Sequence, residues 1–159
     1  MLDASVLIGY LDRADPHHAD AEVLLVAALD EDLAVNTLTL AEVLVGPARH
    51  GRLADVRAAL GDLDVRELAL PPDAATRLPV LRVGTGLRLP GCCVLLSAQD
   101  AGGQLASFDV RLARAARELG LAVLTARAGA EVGPAAPAAG GEGAPRRQDR
   151  APRGRTGRR

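Results

Sequence analysis

Three acidic residues lie beside short apolar segments that could form strands of one sheet. Asp3 opens an apolar run, Glu42 comes shortly after Leu33–Thr37, and Asp109 comes shortly after Gln104–Ser107. Ligands of an open parallel sheet bind beyond the carboxyl ends of its strands, so these positions predict three carboxylates in one cleft. Clustered carboxylates are driven to protonate unless a cation neutralises them. Mg²⁺ or Mn²⁺ suits such a site, where it would promote phosphodiester hydrolysis by water.

Each acid also has a purely structural interpretation. Asp3 and Asp109 both precede predicted helices, where a carboxylate commonly caps the first backbone N–H groups. Glu42 stands three residues after Thr39, which is the spacing of a capping box. The spacing alone therefore leaves two interpretations open, a metal site and a set of helix caps.

The elements that must position these acids alternate between strand and helix. Short apolar, partly β-branched runs predict strands at 33–37, 64–68, 104–107 and 121–125. Apolar residues at helical spacing predict helices at 6–11, 16–29, 39–49, 52–63, 73–86, 91–101 and 110–119. This alternation predicts an α/β fold with a mostly parallel central sheet flanked by helices on both faces.

Two stretches fit this pattern poorly. Pro79 and Gly84 are expected to break the helix at 73–86, because an interior proline removes a hydrogen bond and costs about 3 kcal/mol. Only Met1 and Leu2 precede Asp3, so the first strand is nearly missing.

Four short strings resemble, in chain order, the motifs of PIN-domain ribonucleases, and most closely those of VapC-type toxins of type II toxin-antitoxin systems. The strings are Leu2-Asp3-Ala4-Ser5-Val6-Leu7-Ile8, Thr39-Leu40-Ala41-Glu42-Val43, Gly86-Leu87-Arg88-Leu89-Pro90 and Ala106-Ser107-Phe108-Asp109-Val110-Arg111-Leu112. The resemblance covers residues 1–125. It implies a PIN-like fold, a Mg²⁺- or Mn²⁺-dependent endoribonuclease with RNA as substrate, a homodimer, and a cognate antitoxin protein as partner.

The resemblance also implies roles for individual residues. Asp3, Glu42 and Asp109 match three of the four acids of the family and are the predicted catalytic residues. Asp3 and Asp109 are the predicted metal ligands, and Glu42 helps to bind or orient the metal. Ser5 matches a hydroxyl that orders the first acid and its water, and Ser107 matches the hydroxyl residue before Phe-Asp.

The fourth acid of the family is missing. It should follow Leu89-Pro90, where this chain has Gly91, and glycine offers no ligand atom. Asp100 lies nine residues further along the same predicted helix, a rise of about 14 Å, and is too distant to replace it. The metal affinity and the rate are therefore expected to be lower than in a site with four acids.

Other classes of function remain as alternatives. The first is a PIN-fold protein that is weakened or inactive because of Gly91 and only binds its antitoxin. A haloacid-dehalogenase-type phosphatase requires a second aspartate two residues after Asp3, where this chain has Ser5. A receiver domain requires a lysine near its last strand, and the chain contains no lysine.

Charge separates the chain into two segments. The 159 residues carry a net charge of −1, but residues 126–159 contain eight arginines and three acids, a net charge of +5. The remaining segment, residues 1–125, therefore carries −6 and is the predicted PIN domain. The tail at 126–159 is rich in Arg, Gly, Pro and Ala, a composition typical of disorder.

Composition excludes several further functions. No uncharged stretch is long enough for a transmembrane helix, and the first residues lack the charge order of a secretory signal, so a cytoplasmic protein is expected. Adjacent Cys92 and Cys93 cannot join distant segments, and no Cys or His spacing predicts a zinc site. With Tyr10 and Phe108 as its only Tyr, Phe or Trp residues, the chain is not expected to form an aromatic platform for nucleic acid.

The remaining basic groups are expected at the surface. Arg111, Arg114 and Arg117 recur every three residues on one predicted helix, which is typical of a solvated face. The alternative is a ridge beside Asp109 that contacts phosphates. His17, His18 and His50 are expected to be surface or capping residues.

Overall fold

The computed structural model describes residues 1–125, in which seven helices alternate with four short strands. The predicted tail at 126–159 lies outside the described residues. In chain order the elements are α1 (Ala4–Leu11), α2 (His18–Ala27), β1 (Ala34–Asn36), α3 (Thr37–Arg49), α4 (Leu53–Asp62), β2 (Arg66–Leu68), α5 (Ala74–Thr85), α6 (Leu89–Asp100), β3 (Leu105–Ala106), α7 (Val110–Glu118) and β4 (Val123–Leu124).

The strands form two parallel pairs, β1 with β2 and β3 with β4. The first residues of the chain join these pairs. Leu2 N donates to Ala34 O (2.7 Å) on one side, while Ala106 N donates to Met1 O (2.9 Å) and Asp3 N to Ala106 O (3.0 Å) on the other. The backbone order is therefore β2, β1, residues 1–3, β3, β4, which confirms the α/β fold with a parallel centre.

Two apolar clusters form the core. One contains residues of α1 to α4, and the other contains residues of α5 to α7. Leu105 belongs to the second cluster and its neighbour Ala106 to the first. Because successive side chains of a strand point to opposite faces, the clusters lie on the two faces of the central strands. The sheet is thus covered on both sides, as the sequence predicted.

The capping box predicted at Thr39 and Glu42 is wrong. Helix α3 begins at Thr37, and its N-cap is Asn36, whose side chain accepts a hydrogen bond from Thr39 N (2.9 Å). Thr39 is instead a buried residue of the first turn. Asn36 ends β1, so the strand passes directly into the helix and leaves no room for a later cap.

The predicted break in the helix at 73–86 is also wrong. Helix α5 runs continuously through Pro79 and Gly84 and ends at Gly86, which has a left-handed φ of 66°. Pro79 cannot donate to the carbonyl of Ala75, but both residues are exposed, so that carbonyl can be hydrated. An exposed helix face therefore tolerates the proline.

Helix α6 has more buried residues than any other described helix. Its residues 92 to 98 are all buried, including both cysteines. Burial raises the pKa of the Cys93 thiol, which favours its protonated form and a role in packing. The prediction that the cysteines are small core residues is confirmed.

Within residues 1–125, no single helix has the length and apolar character needed to cross a membrane. Helices α5 and α6 meet that criterion only when taken together, and they are bent by 112° relative to each other.

We expect Leu95→Ala to lower the free energy of unfolding by about 2–5 kcal/mol, because it removes a fully buried side chain from α6 and leaves a cavity. Val26→Ala is the matched control, since Val26 is exposed and its truncation should change stability by less than about 0.5 kcal/mol. Urea denaturation measures both values. Equal midpoints for the two variants would contradict this description of the core.

Candidate active site

Asp3 lies at the carboxyl end of the central segment and is the N-cap of α1. It is buried, with 9% of its surface exposed. Its Oδ2 accepts hydrogen bonds from Ser5 Oγ (2.6 Å) and Ser107 Oγ (2.8 Å), with a longer contact from Ser5 N (3.4 Å). Two hydroxyl donors and the N-cap position thus satisfy one oxygen of this buried carboxylate.

The same two serine hydroxyls also accept hydrogen bonds from the backbone of the loop that follows β3. Ser5 Oγ accepts a hydrogen bond from Phe108 N (3.0 Å), and Ser107 Oγ accepts one from Asp109 N (3.0 Å). Each hydroxyl therefore donates to Asp3 and accepts from the loop backbone. The backbone of residues 107–109 is thereby fixed relative to Asp3, across more than 100 residues of sequence.

Asp109 is the N-cap of α7 and is exposed. Its Oδ1 accepts hydrogen bonds from Arg111 N (2.8 Å) and Leu112 N (3.1 Å). The capping interpretation is therefore correct for this residue, and its role as a metal ligand stays a prediction.

The caps use only half of each carboxylate. Within residues 1–125, no hydrogen bond involves Asp3 Oδ1 or Asp109 Oδ2. Each acid thus has one oxygen held by donors and one without a hydrogen-bond partner among the described residues. These hydrogen bonds connect Asp3, Ser5, Ser107 and the backbone of Asp109, and they do not include Glu42, the third acid of the predicted cleft.

Glu42 is not part of this hydrogen-bonded group. It is exposed on α3 and lines a groove of about 470 Å³ together with Ile8, Leu11 and Asp12 of the α1 region. Asp3, by contrast, begins α1. The described residues contain no cluster of three or more His, Cys, Asp or Glu side chains arranged to hold a metal ion. The catalytic role of Glu42 stays a prediction.

Gly91 lies in the first turn of α6 beside apolar side chains. A Cβ added at this position would lie 3.7 Å from Leu112 Cδ1 and from two side-chain atoms of Leu87. These are ordinary van der Waals distances, so the space admits a side chain. Leu112 belongs to the first turn of α7, the helix that Asp109 caps.

Sequence reasoning missed one pair of residues at this site. The ring of His17 stacks on that of Phe108, with 4.8 Å between ring centroids and 18° between ring planes. The Asp109 motif drew attention to position 108, but nothing in the local sequence around His17 signals a partner 91 residues away.

The arginines of α7 are exposed, as the sequence predicted. Arg114 Nε lies 3.5 Å from Glu118 Oε1, an i,i+4 pair typical of a solvated helix face. A phosphate contact by this ridge stays a prediction.

The chain belongs to the PIN-domain family, whose model matches residues 1–118. A solved structure, a toxin-antitoxin complex from Klebsiella pneumoniae, is similar to this chain with a TM-score of 0.56 and 22% sequence identity. The alignment covers 79% of this chain and 95% of that chain. None of the curated proteins matches the chain.

PIN domains are generally nucleases and typically use divalent metal ions. The donor set here fits such an ion in one respect, since Asp3 and Asp109 each have an oxygen without a hydrogen bond. Mg²⁺ is commonly bound through one or two carboxylates and retains several waters. Asp3 and Asp109 are therefore the residues that would hold such an ion.

We expect Ser107→Ala to lower the free energy of unfolding by about 1–3 kcal/mol, because Asp3 Oδ2 loses one of its two hydroxyl donors and Asp109 N loses its hydrogen-bond partner. Thr76→Ala removes an exposed hydroxyl that bonds only to Asp73 O, and should change stability by less than about 0.5 kcal/mol. Chemical denaturation compares the two variants. Indistinguishable values would show that the Ser107 hydroxyl does not hold the two acids together.

Proposed function

We propose that this protein is a metal-dependent endoribonuclease of the VapC type, the toxin of a toxin-antitoxin pair. The observation that carries this proposal is the Asp3–Ser107–Asp109 arrangement at the carboxyl ends of adjacent central strands. It leaves one oxygen of each carboxylate available on a fixed backbone. Membership of the PIN-domain family supports the same activity.

The proposed reaction is the hydrolysis of an RNA phosphodiester, in which water attacks phosphorus in line with the leaving oxygen. Asp3 and Asp109 would hold Mg²⁺ or Mn²⁺. When bound, such a cation neutralises phosphate charge and lowers the pKa of water. Ser5 and Ser107 orient Asp3 through their hydrogen bonds to its Oδ2, and Glu42 would help to bind or orient the cation from α3.

A cognate antitoxin protein is the proposed partner. The similar solved structure is a toxin-antitoxin complex, although its sequence identity of 22% establishes only the fold. We also propose a homodimer, as in the family that the motifs resemble. Val80 and Val83, exposed on α5, offer an apolar surface for a subunit contact.

Gly91 favours a second candidate function, a PIN-fold protein that binds its antitoxin without cleaving RNA. The described residues contain no group of three metal-binding side chains, and Gly91 adds no ligand where the family has an acid. Restoring that acid distinguishes the two functions.

We expect purified protein to cleave a mixed RNA pool in Mn²⁺ about a hundredfold faster than Asp3→Asn, which keeps hydrogen-bond acceptors for the serines but weakens the metal ligand. Gly91→Asp should raise the rate a further tenfold or so, because it restores the acid that the family has at this position. Gel analysis of the RNA measures the rates.

Asp62→Asn is the matched control, since Asp62 is an exposed acid at the end of α4, and it should cleave like the wild type. Cleavage by Gly91→Asp alone would establish the binding protein instead of the nuclease. If neither the wild type nor Gly91→Asp cleaves faster than Asp3→Asn, the proposal of a metal-dependent nuclease is wrong.

A further inference from the structure

The ring of Phe108, which stacks on that of His17, belongs to the loop that carries Ser107 and Asp109. Phe108 stands between Ser107 and Asp109, both of which belong to the hydrogen-bonded group around Asp3. The 4.8 Å centroid separation and 18° tilt describe an aligned stack of two flat rings.

Each ring is held in place by contacts of its own backbone. His17 N donates to Asp15 Oδ1 (2.8 Å), and the next residue, His18, is within hydrogen-bond distance of Gly9 O through its Nδ1 (2.8 Å). An added Cβ at Gly9 would lie 3.5 Å from His17 Cβ, so this part of the loop packs against α1. The backbone that carries the imidazole is therefore held against α1.

Phe108 is fixed from the other side. Its N–H donates to Ser5 Oγ (3.0 Å), and its half-buried ring packs against the apolar cluster of α1 to α4. The phenyl ring therefore forms a rigid base beneath the imidazole.

The imidazole is not enclosed by this stack. The side chain of His17 is 51% exposed, although one side of its ring faces Phe108. Asp20 Oδ2 lies 4.0 Å from His17 Nδ1 at the edge of the ring. The His17–Phe108 stack is therefore an aromatic surface exposed to solvent, on the loop that leads into Asp109.

We propose that the His17–Phe108 stack is a platform for a nucleobase of single-stranded RNA. A base flanking the phosphodiester at the acid pair stacks on the exposed side of His17, as bases of single strands stack on aromatic side chains of their binding proteins. This makes His17 a substrate-positioning residue. The inference rests on the proposed function, since it assigns RNA to the same site.

The platform also revises an expectation from composition. A count of Phe, Tyr and Trp excluded stacked rings as a contact for nucleic acid, but a histidine supplies the second ring. Stacking needs no positive charge, so it offers RNA an attractive contact on a domain with a net charge of −6.

The test uses full-length protein and a single-stranded oligoribonucleotide that contains 2-aminopurine, with Ca²⁺ replacing Mn²⁺ and intact strands verified on a gel. Stacking quenches the fluorescence of this base, and titration gives the Kd. We expect His17→Ala to lose most of the quenching and to bind about tenfold more weakly. His17→Phe retains a ring and should restore both.

His50→Ala is the matched control, since His50 is an exposed histidine whose ring lies 2.9 Å from Gly46 O at the end of α3. It should quench and bind like the wild type. Equal quenching by His17→Ala and the wild type would overturn the platform, even if thermal unfolding showed that the stack stabilises the fold. Absence of RNA binding by the wild type would also overturn it.

Cleavage of the same oligonucleotide in Mn²⁺ separates this inference from the proposed function. If the wild type fails to cleave but its quenching depends on His17, the nuclease proposal fails and the platform stands. If the wild type cleaves but its quenching does not depend on His17, the platform fails and the nuclease proposal stands.

Discussion

The buried carboxylate of Asp3 is the interaction on which the rest of the site depends. Burying a charged group is costly unless hydrogen bonds replace its hydration. Here the hydroxyls of Ser5 and Ser107 provide that replacement at 2.6 and 2.8 Å. Because the same hydroxyls accept from the backbone of Phe108 and Asp109, satisfying one buried charge also fixes the loop that carries the second acid.

This arrangement compensates for a very short central strand. Residues 1–3 contribute only a single parallel bridge, Leu2 with Ala106, and a few backbone hydrogen bonds to β1 and β3. Apolar packing on both sides supplies the remaining support, since Leu2 is 2% exposed and Met1 packs against the opposite cluster. The position of Asp3 therefore depends on side-chain packing and hydroxyl contacts more than on a ladder.

Much of the fold and half of the site could be predicted from local sequence. Alternating apolar runs predicted the order of strands and helices, because strand and helix periods differ. Acids next to those runs predicted Asp3, Glu42 and Asp109 in one cleft, because the ends of parallel strands meet at one edge of a sheet. The hydrogen bonds connect Asp3 with the loop of Asp109 and leave out Glu42, and the roles of Ser5 and Ser107 came from the resemblance of the motifs. The predicted cap at Thr39 failed because Asn36, at the end of β1, reaches the helix first.

The other features depend on contacts that local sequence does not encode. Pro79 continues a helix because its side of α5 is exposed, which only the tertiary packing decides. His17 meets Phe108, which is 91 residues away in sequence, because the loop before α2 folds back over α1. Glu42 lines the same groove as Ile8 and does not join the acid pair, because the direction of its side chain from α3 sets its position.

The most direct test of this account is a crystal structure of the protein with Mn²⁺, in which anomalous scattering locates the ion. The account predicts one peak shared by Asp3 Oδ1 and Asp109 Oδ2, with both serines still bonded to Asp3 Oδ2. A peak at another site, or none between these carboxylates at saturating Mn²⁺, would contradict the claim that this pair is a metal centre.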